Sequence, residues 1–207
     1  MFFDFSQLAA PDAYKLLAGS VVPRPIALIT SVDEQGVVNA APYSFFNAIG
    51  SDPALVVVGI SDGGAGKDTG RNIAAHDDFV VNLVARSMAE AMNICAIDFP
   101  PGQSEIEAAR LETASSSRVA VPRLVGSPVS LECREHTTLL IGNNRVVVGE
   151  VLALWVKDEF VDDQNFHVDT AALNLIGRMG GAGGYTETQQ PFEIPRISYE
   201  QWRDTHR

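Results

Sequence analysis

The sequence predicts a mainly β protein, an antiparallel barrel with attached helices, on three observations. Six or seven strand-like runs recur along 207 residues. They do not alternate strictly with helices, as a doubly wound sheet requires. Two pairs of them are joined by tight polar turns, Asp33-Glu34-Gln35-Gly36 and Gly142-Asn143-Asn144. The length suits a single domain, residues 1–207, with a core of ordinary size.

Taken in order, residues 2–17 read as a short helical lead-in, with Leu8, Ala9, Tyr14 and Leu17 available for packing. Val21-Val22-Pro23-Arg24-Pro25 is extended, because each proline holds its predecessor out of the α region. It feeds a strand at 26–31, whose hairpin partner is 37–41, and Pro42 is expected to stop that partner. Residues 43–49 are short and crowded with aromatics, which predicts a loop or a single helical turn. Ser51-Asp52-Pro53 punctuates, and the unbroken apolar run 54–60 predicts a buried strand.

A helix opens at Lys67 and ends near His76-Asp77-Asp78, and 79–84 is the next strand. Ser87 with Glu90 has capping-box spacing for a helix reaching about Cys95, with Met88, Met92 and Cys95 spaced to face a core. Residues 98–121 are polar and irregular, a surface excursion with a second Ser-x-x-Glu start at Ser104 and Glu107. Strict alternation then returns: Val129, Leu131 and Cys133 point one way, Ser130, Glu132 and Arg134 the other. The Gly142-Asn143-Asn144 turn leads into a long apolar strand, 146–156. The tail contains a loop at 162–165, a short helix at 171–176, a glycine segment at 180–184, and a last helix capped by Ser198 and Gln201.

Whole-chain properties narrow the function classes. A formal net charge of −11 offers no field to hold nucleic acid or an anionic membrane surface. No apolar run approaches a membrane span and the N-terminus lacks a basic, then apolar, leader pattern, so a cytoplasmic location is expected. Cys95 and Cys133 are far apart, with no CxxC and no neighbouring His, which predicts two reduced core residues. His76, His136 and His206 show no spacing that suggests a metal, and Asp98, Glu105 and Glu107 read as a solvated face.

The stretch most suggestive of chemistry is Ser61-Asp62-Gly63-Gly64-Ala65-Gly66, followed by Lys67, Thr69 and Arg71 at a helix start. A glycine loop brings backbone N–H groups close to a phosphate, the helix start adds partial positive charge, and Lys67 with Thr69 adds a cation and a hydroxyl. A nucleotide P-loop does not fit, because Ser61 stands where its first Gly belongs and Asp68 where its Ser/Thr belongs. Read alone, Lys67 is either solvated or an anion ligand; the macrodipole disfavours a cation at this end, which favours the ligand. Thr69 is equally a cap, and Asn39, Ser44 and Asn47 suit ordinary polar turns. The glycines at 180–184 do not make a dinucleotide fingerprint, since they are expected to follow a helix rather than a strand.

Pro23-Arg24-Pro25-Ile26-Ala27-Leu28-Ile29-Thr30-Ser31, Asn39-Ala40-Ala41-Pro42-Tyr43-Ser44-Phe45-Phe46-Asn47, Lys67-Asp68-Thr69 with Arg71-Asn72-Ile73, and Phe79-Val80-Val81-Asn82-Leu83 occur in this order. So do Ser127-Pro128-Val129-Ser130-Leu131-Glu132-Cys133, Val148-Gly149-Glu150-Val151 and Arg178-Met179-Gly180-Gly181. Together they resemble the flavin reductase-like FMN-binding split-barrel family. The resemblance implies a homodimer of six-stranded split β-barrels with a Greek-key path and FMN at the subunit interface. It implies that Thr30 and Ser31 line the flavin and that Ser44 and Asn47, with the backbone from Ala41 through Tyr43 to Phe45, bond its ring and ribityl edges. Lys67 and Thr69 would take the phosphate, with Arg71 or Arg24 as the second cation where the family often has a loop arginine.

The activity it implies is NAD(P)H-dependent flavin reduction, with NADH or NADPH as donor and hydride passing to the flavin ring. Such chemistry needs stacking and orientation and no protein nucleophile. Arg178 and Tyr185 are then candidates to receive the nicotinamide nucleotide beneath a closing glycine segment; otherwise they are a surface charge and a packing aromatic. His167 is a structural histidine or borders the flavin. The alternative is a flavoredoxin-like electron carrier that exchanges electrons with a protein partner and has no nicotinamide site; a monooxygenase or redox partner protein is a candidate recipient of the flavin or its electrons. A split barrel holding pyridoxal phosphate or haem is a third reading.

Overall fold

The computed structural model describes residues 1–61, 67–100 and 103–205. Helix α1, Ala10–Ser20, leads into strands β1, Ala27–Val32, β2, Val38–Tyr43, β3, Phe46–Ser51, and β4, Ala54–Ser61. Helix α2, Asp68–His76, is followed by β5, Asp78–Leu83, then α3, Ala89–Ile94, and α4, Glu105–Ala108. The long strands β6, Val129–Ile141, and β7, Asn144–Val156, form one hairpin, and α5, Tyr199–Thr205, ends the described chain.

These seven strands make one sheet in the order β2-β1-β5-β6-β7-β4-β3, with every pairing antiparallel. The two edge strands are consecutive in sequence, joined only by Ser44 and Phe45. Laid flat, seven strands spaced by about 4.8 Å would hold those edges about 29 Å apart. Three Cα–Cα steps reach about 11 Å at most. The sheet therefore curls until its edges meet, and at the junction Phe45 C=O accepts from Gly59 N–H (2.7 Å), extending the β3–β4 pairing by one residue. The barrel expected from the sequence is present, with seven strands where the resemblance implies six.

Two cores flank the barrel wall. Inside lie Ala27, Ile29, Val58, Ile60, Phe79, Val81 and Cys133, with Ile73 of α2 plugging one end. Outside, Ile26, Leu28 and Leu124 pack against Met88, Met92 and Cys95. Strand β1 is buried on both faces from Ala27 to Ser31, which is why Ala27, Leu28 and Ile29 are apolar in succession without alternation. Both cysteines are free and buried, and burial pushes each thiol up to about 12. Gly149 is required by contact: a Cβ there would sit 2.4 Å from Cζ of fully buried Phe79.

Several local expectations are corrected. Residues 46–51 form a strand, not a loop or helical turn, because Asp52-Pro53 makes a two-residue hairpin turn that pairs Phe46 with Val58 and Ser51 with Ala54. Its residues are mostly exposed, so they carried no alternation to read. Pro42 does not stop β2; it pairs opposite Leu28 in an edge strand, where a missing N–H is tolerated. Residues 171–174 are turns and Ile176–Arg178 is a short strand, so the glycine segment joins two antiparallel strands and follows no helix. Neither Ser87 nor Ser104 caps its helix through its side chain; Ser104 Oγ donates to Val38 C=O instead. The 98–121 excursion is not wholly superficial, since Val119 and Val121 bury themselves against Val80.

Candidate functional site

The N-terminal end of α2 meets β2 beside a cleft of about 190 Å³, whose lining includes Asn39, Ala41, Tyr43, Lys67, Thr69 and Asp98. Helical spacing sends Thr69, Asn72 and Ile73 inward while Asp68 and Arg71 stay outside. No side chain caps the helix among the described residues, and Lys67 occupies the cap position in an extended conformation. Asn39 pairs opposite Ser31 across β1 and β2. Its Nδ2 donates to Thr69 Oγ1 (2.9 Å), while Asn72 Nδ2 donates to Ser31 Oγ (3.0 Å). The Thr69 oxygen thus serves as an acceptor, and its hydrogen has no acceptor among the described residues. That is the arrangement an oxyanion needs: a cation, a hydroxyl fixed as donor, and the orphan N–H groups of a helix start.

Lys67 Nζ meets Asp98 Oδ1 at 2.7 Å, with the two side chains 52% and 87% exposed. The hydrogen bond and the charge of Lys67 hold the Asp98 carboxyl below its ordinary range. An ion pair this exposed contributes little, so an incoming anion can exchange for Asp98 at small cost. Arg71 pairs with Asp68 and lines a neighbouring cleft of about 400 Å³, which shares Asn39, Asp68, Phe99 and Glu105 with the first. Of the residues read as a solvated face, Asp98 lines the smaller cleft and Glu105 lines both, and Glu105 Oε2 accepts from Ala40 N–H (3.4 Å). No local motif announced Asp98 or Glu105, because each reaches the cleft through the excursion's path. Asn72 was legible only as a helix residue one turn from Thr69.

Other candidates fall elsewhere. The side chains of Thr30 and Ser31 project to opposite faces of β1, as neighbouring strand residues do, so they do not face one ligand together. Thr30 Oγ1 donates to Pro122 C=O (2.7 Å) on the outer side, and both residues are fully buried. Arg24 is a buried clasp rather than a cleft cation. It donates to the carbonyls of Ala18, Val21 and Met179 and to Ser44 Oγ (3.3 Å), and its guanidinium lies 5.8 Å from the Phe45 ring centre. Asn47 lies exposed on β3, with its Oδ1 accepting from Ala48 N–H (2.9 Å). The glycine-rich stretch 62–66, the expected backbone cradle, lies outside the described residues.

In the tail, Arg178 donates to the carbonyls of Gly181, Ala182 and Gly184 and stacks 4.8 Å from the Tyr185 ring centre. It fastens the glycine segment down instead of reaching outward. Tyr185 borders a separate cleft of about 690 Å³ with Arg86 and Glu187, which pair at 3.3 Å. His167 sits exposed in a two-residue ribbon opposite Asp162.

An antiparallel barrel closed by a two-residue seam, with a helix start on its flank, defines a split-barrel protein. Residues 18–173 match the family described as Flavin reductase like domain, and the chain belongs to that family. It is 44% identical over 209 aligned residues to an uncharacterized protein of Deinococcus radiodurans, covering 98% of this chain and 92% of that one. Among solved structures it resembles the 2-nitrobenzoate 2-nitroreductase NbaA of Pseudomonas fluorescens (34% identity, TM-score 0.89, 96% and 98% of the two chains). It also resembles nitrilotriacetate monooxygenase component B of Bacillus cereus (31% identity, TM-score 0.89, 94% and 98%). Membership makes the chain a flavin-handling oxidoreductase. Among the described residues, no helix is long and apolar enough to cross a membrane.

Proposed function

We propose that the protein binds FMN and reduces it with NADH or NADPH. The observation that carries the cofactor reading is the Asn39-oriented hydroxyl of Thr69 beside Lys67 at an uncapped helix start. There the chain supplies one cation, one hydroxyl donor and backbone N–H groups for the phosphate, and Ala41 and Tyr43 border the path toward Ser44 and Asn47 for the ring. Bound FMN would supply the hydride-accepting centre, which no side chain here provides. The chain's own work is to hold the phosphate, orient the ring and keep solvent from its reacting face.

A cleft of about 190 Å³ is smaller than the roughly 300 Å³ or more that enclosed organic ligands occupy. The reading therefore includes a homodimer in which a second copy completes the flavin site. Exposed Leu17, Phe45 and Ile49 on α1, the seam and β3 supply apolar surface for that contact. Reduced flavin would pass to a partner oxygenase, consistent with the likeness to a monooxygenase component.

One observation favours the second reading, a flavoredoxin-like electron carrier that serves a redox partner. Arg178, the expected cation for a nicotinamide nucleotide, is committed to three carbonyls of its own loop. A visible spectrum of the purified protein, recorded anaerobically before and after NADH and then NADPH, separates the readings. A flavin spectrum bleached by one nucleotide is the expected result. A flavin spectrum that neither nucleotide bleaches would establish the carrier, and failure to bind added FMN would overturn the cofactor assignment.

A further inference from the structure

A second polar site lies on the outer wall of the barrel, lined by none of the residues that line the α2 cleft. Its centre is Arg123, in the two-residue strand Arg123–Leu124 that pairs with Thr113–Ala114. The neighbouring Leu124 is fully buried, and its N–H donates to Asn82 Oδ1 (2.9 Å), which holds Arg123 in place. Its guanidinium carbon lies 4.4 Å from the centre of the Trp155 ring. That ring is fixed in turn, because its Nε1 donates to fully buried Glu132 (2.6 Å).

One face of the guanidinium is thus covered, yet its fork is unused. Among the described residues Arg123 makes no ion pair and donates no hydrogen bond, and its Nε is buried without an acceptor. Stacking orients the fork without consuming its donors. The hollow beside it holds about 270 Å³, with Val125 and Pro128 as apolar lining and Lys157 and Asp158 on the rim. Lys157 is held there by its N–H donating to Pro128 C=O (3.1 Å). Arg123 and Lys157 thus set two cations, with Asp158 as one acid, around a small, partly apolar hollow.

From this geometry we propose that the Arg123–Trp155 hollow binds a small organic carboxylate. The carboxylate would take two parallel hydrogen bonds from the guanidinium fork, with Lys157 as a second, weaker cation. Its compact carbon skeleton would lie against Val125 and Pro128. The fork can meet carboxylate and phosphate oxygens alike, but an inorganic anion leaves the apolar lining unmet, which favours the organic carboxylate.

Isothermal titration calorimetry on the full chain with benzoate, its uncharged amide benzamide, and inorganic phosphate tests this. Benzoate should bind saturably, with benzamide and phosphate each weaker by about tenfold or more. Arg123→Gln should weaken benzoate about tenfold and Lys157→Gln two- to threefold, with affinities unchanged when FMN is present. Lys157 is exposed, so its variant tests the charge requirement without depending on the wall's packing. Absence of saturable benzoate binding, equal binding of benzamide, tighter binding of phosphate, or an unaltered affinity in Arg123→Gln would each overturn the assignment.

Discussion

The outer wall of the barrel and the α2 cleft both carry dense polar side chains, but they hold them differently. In the wall, Asn82 is fully buried; its Nδ2 donates to Leu28 C=O (3.0 Å) and its Oδ1 accepts from Leu124 N–H and Ser130 Oγ. Glu132 accepts from the N–H groups of Ser117 and Arg118 and from the Trp155 indole. In the cleft, Lys67 and Arg71 are half exposed and paired with aspartates that are more exposed still. Buried donors and acceptors left unmet are costly, so Asn82 and Glu132 are held to their partners. Exposed pairs cost little to break, so the cleft keeps its charges exchangeable. A family can therefore retain the wall as scaffold while the cleft adapts to its ligand.

Breaking the wall should have the largest effect. Gly149→Val places branched carbon against the Phe79 ring, and a loss of about 3 kcal/mol in urea unfolding is expected. A loss within 0.5 kcal/mol of zero would mean that Phe79 moves aside freely.

Glu132→Gln comes next, at about 2 kcal/mol at neutral pH, since an amide presents N–H groups to donors. Burial alone would raise the Glu132 carboxyl, but the N–H groups of Ser117 and Arg118 and the Trp155 indole more than offset it and hold it below 4.5. A folded-state value below the unfolded one stabilises above the unfolded value, and that stabilisation is lost as pH falls through the folded one. The stability gap between wild type and variant should therefore shrink on acidification below about pH 4.5. A gap constant from pH 7 to 3 would show that folding leaves the Glu132 carboxyl at its unfolded value.

The cleft variants should leave folding nearly untouched. Lys67→Ala with Thr69→Ala is expected to cost about 1 kcal/mol or less in unfolding, yet to weaken FMN binding at least tenfold by fluorescence titration. Unchanged FMN affinity would remove the phosphate from this helix start. Smallest of all, Asp98→Asn should strengthen FMN binding about twofold by removing the carboxylate that competes for Lys67. Weaker binding in this variant would make Asp98 a supporting residue rather than a competitor.

Much of this contrast was legible in one dimension. The alternation from Val129 to Arg134 announced the two faces of β6, and Ser198 with Gln201 announced the capping box that α5 makes. Strand β3 was missed because exposed residues paired by a proline turn carry no period. Lys67 and Thr69 were legible as a cation and a hydroxyl at one helix start, whereas the parting of Thr30 from Ser31 follows from strand geometry that a motif match ignores.

The amino-acid pattern by itself determined the antiparallel strands, the cysteines' place in the core, and a cation and hydroxyl at one helix start, because each depends on local period or immediate neighbours. Tertiary structure alone decided that β2 and β3 close the barrel through Ser44 and Phe45, and that Asp98 faces Lys67. It alone turned Arg24 and Arg178 into clasps for backbone carbonyls and laid Arg123 on Trp155. A charged side chain's partner is set by where distant segments cross, and sequence spacing carries no record of that crossing.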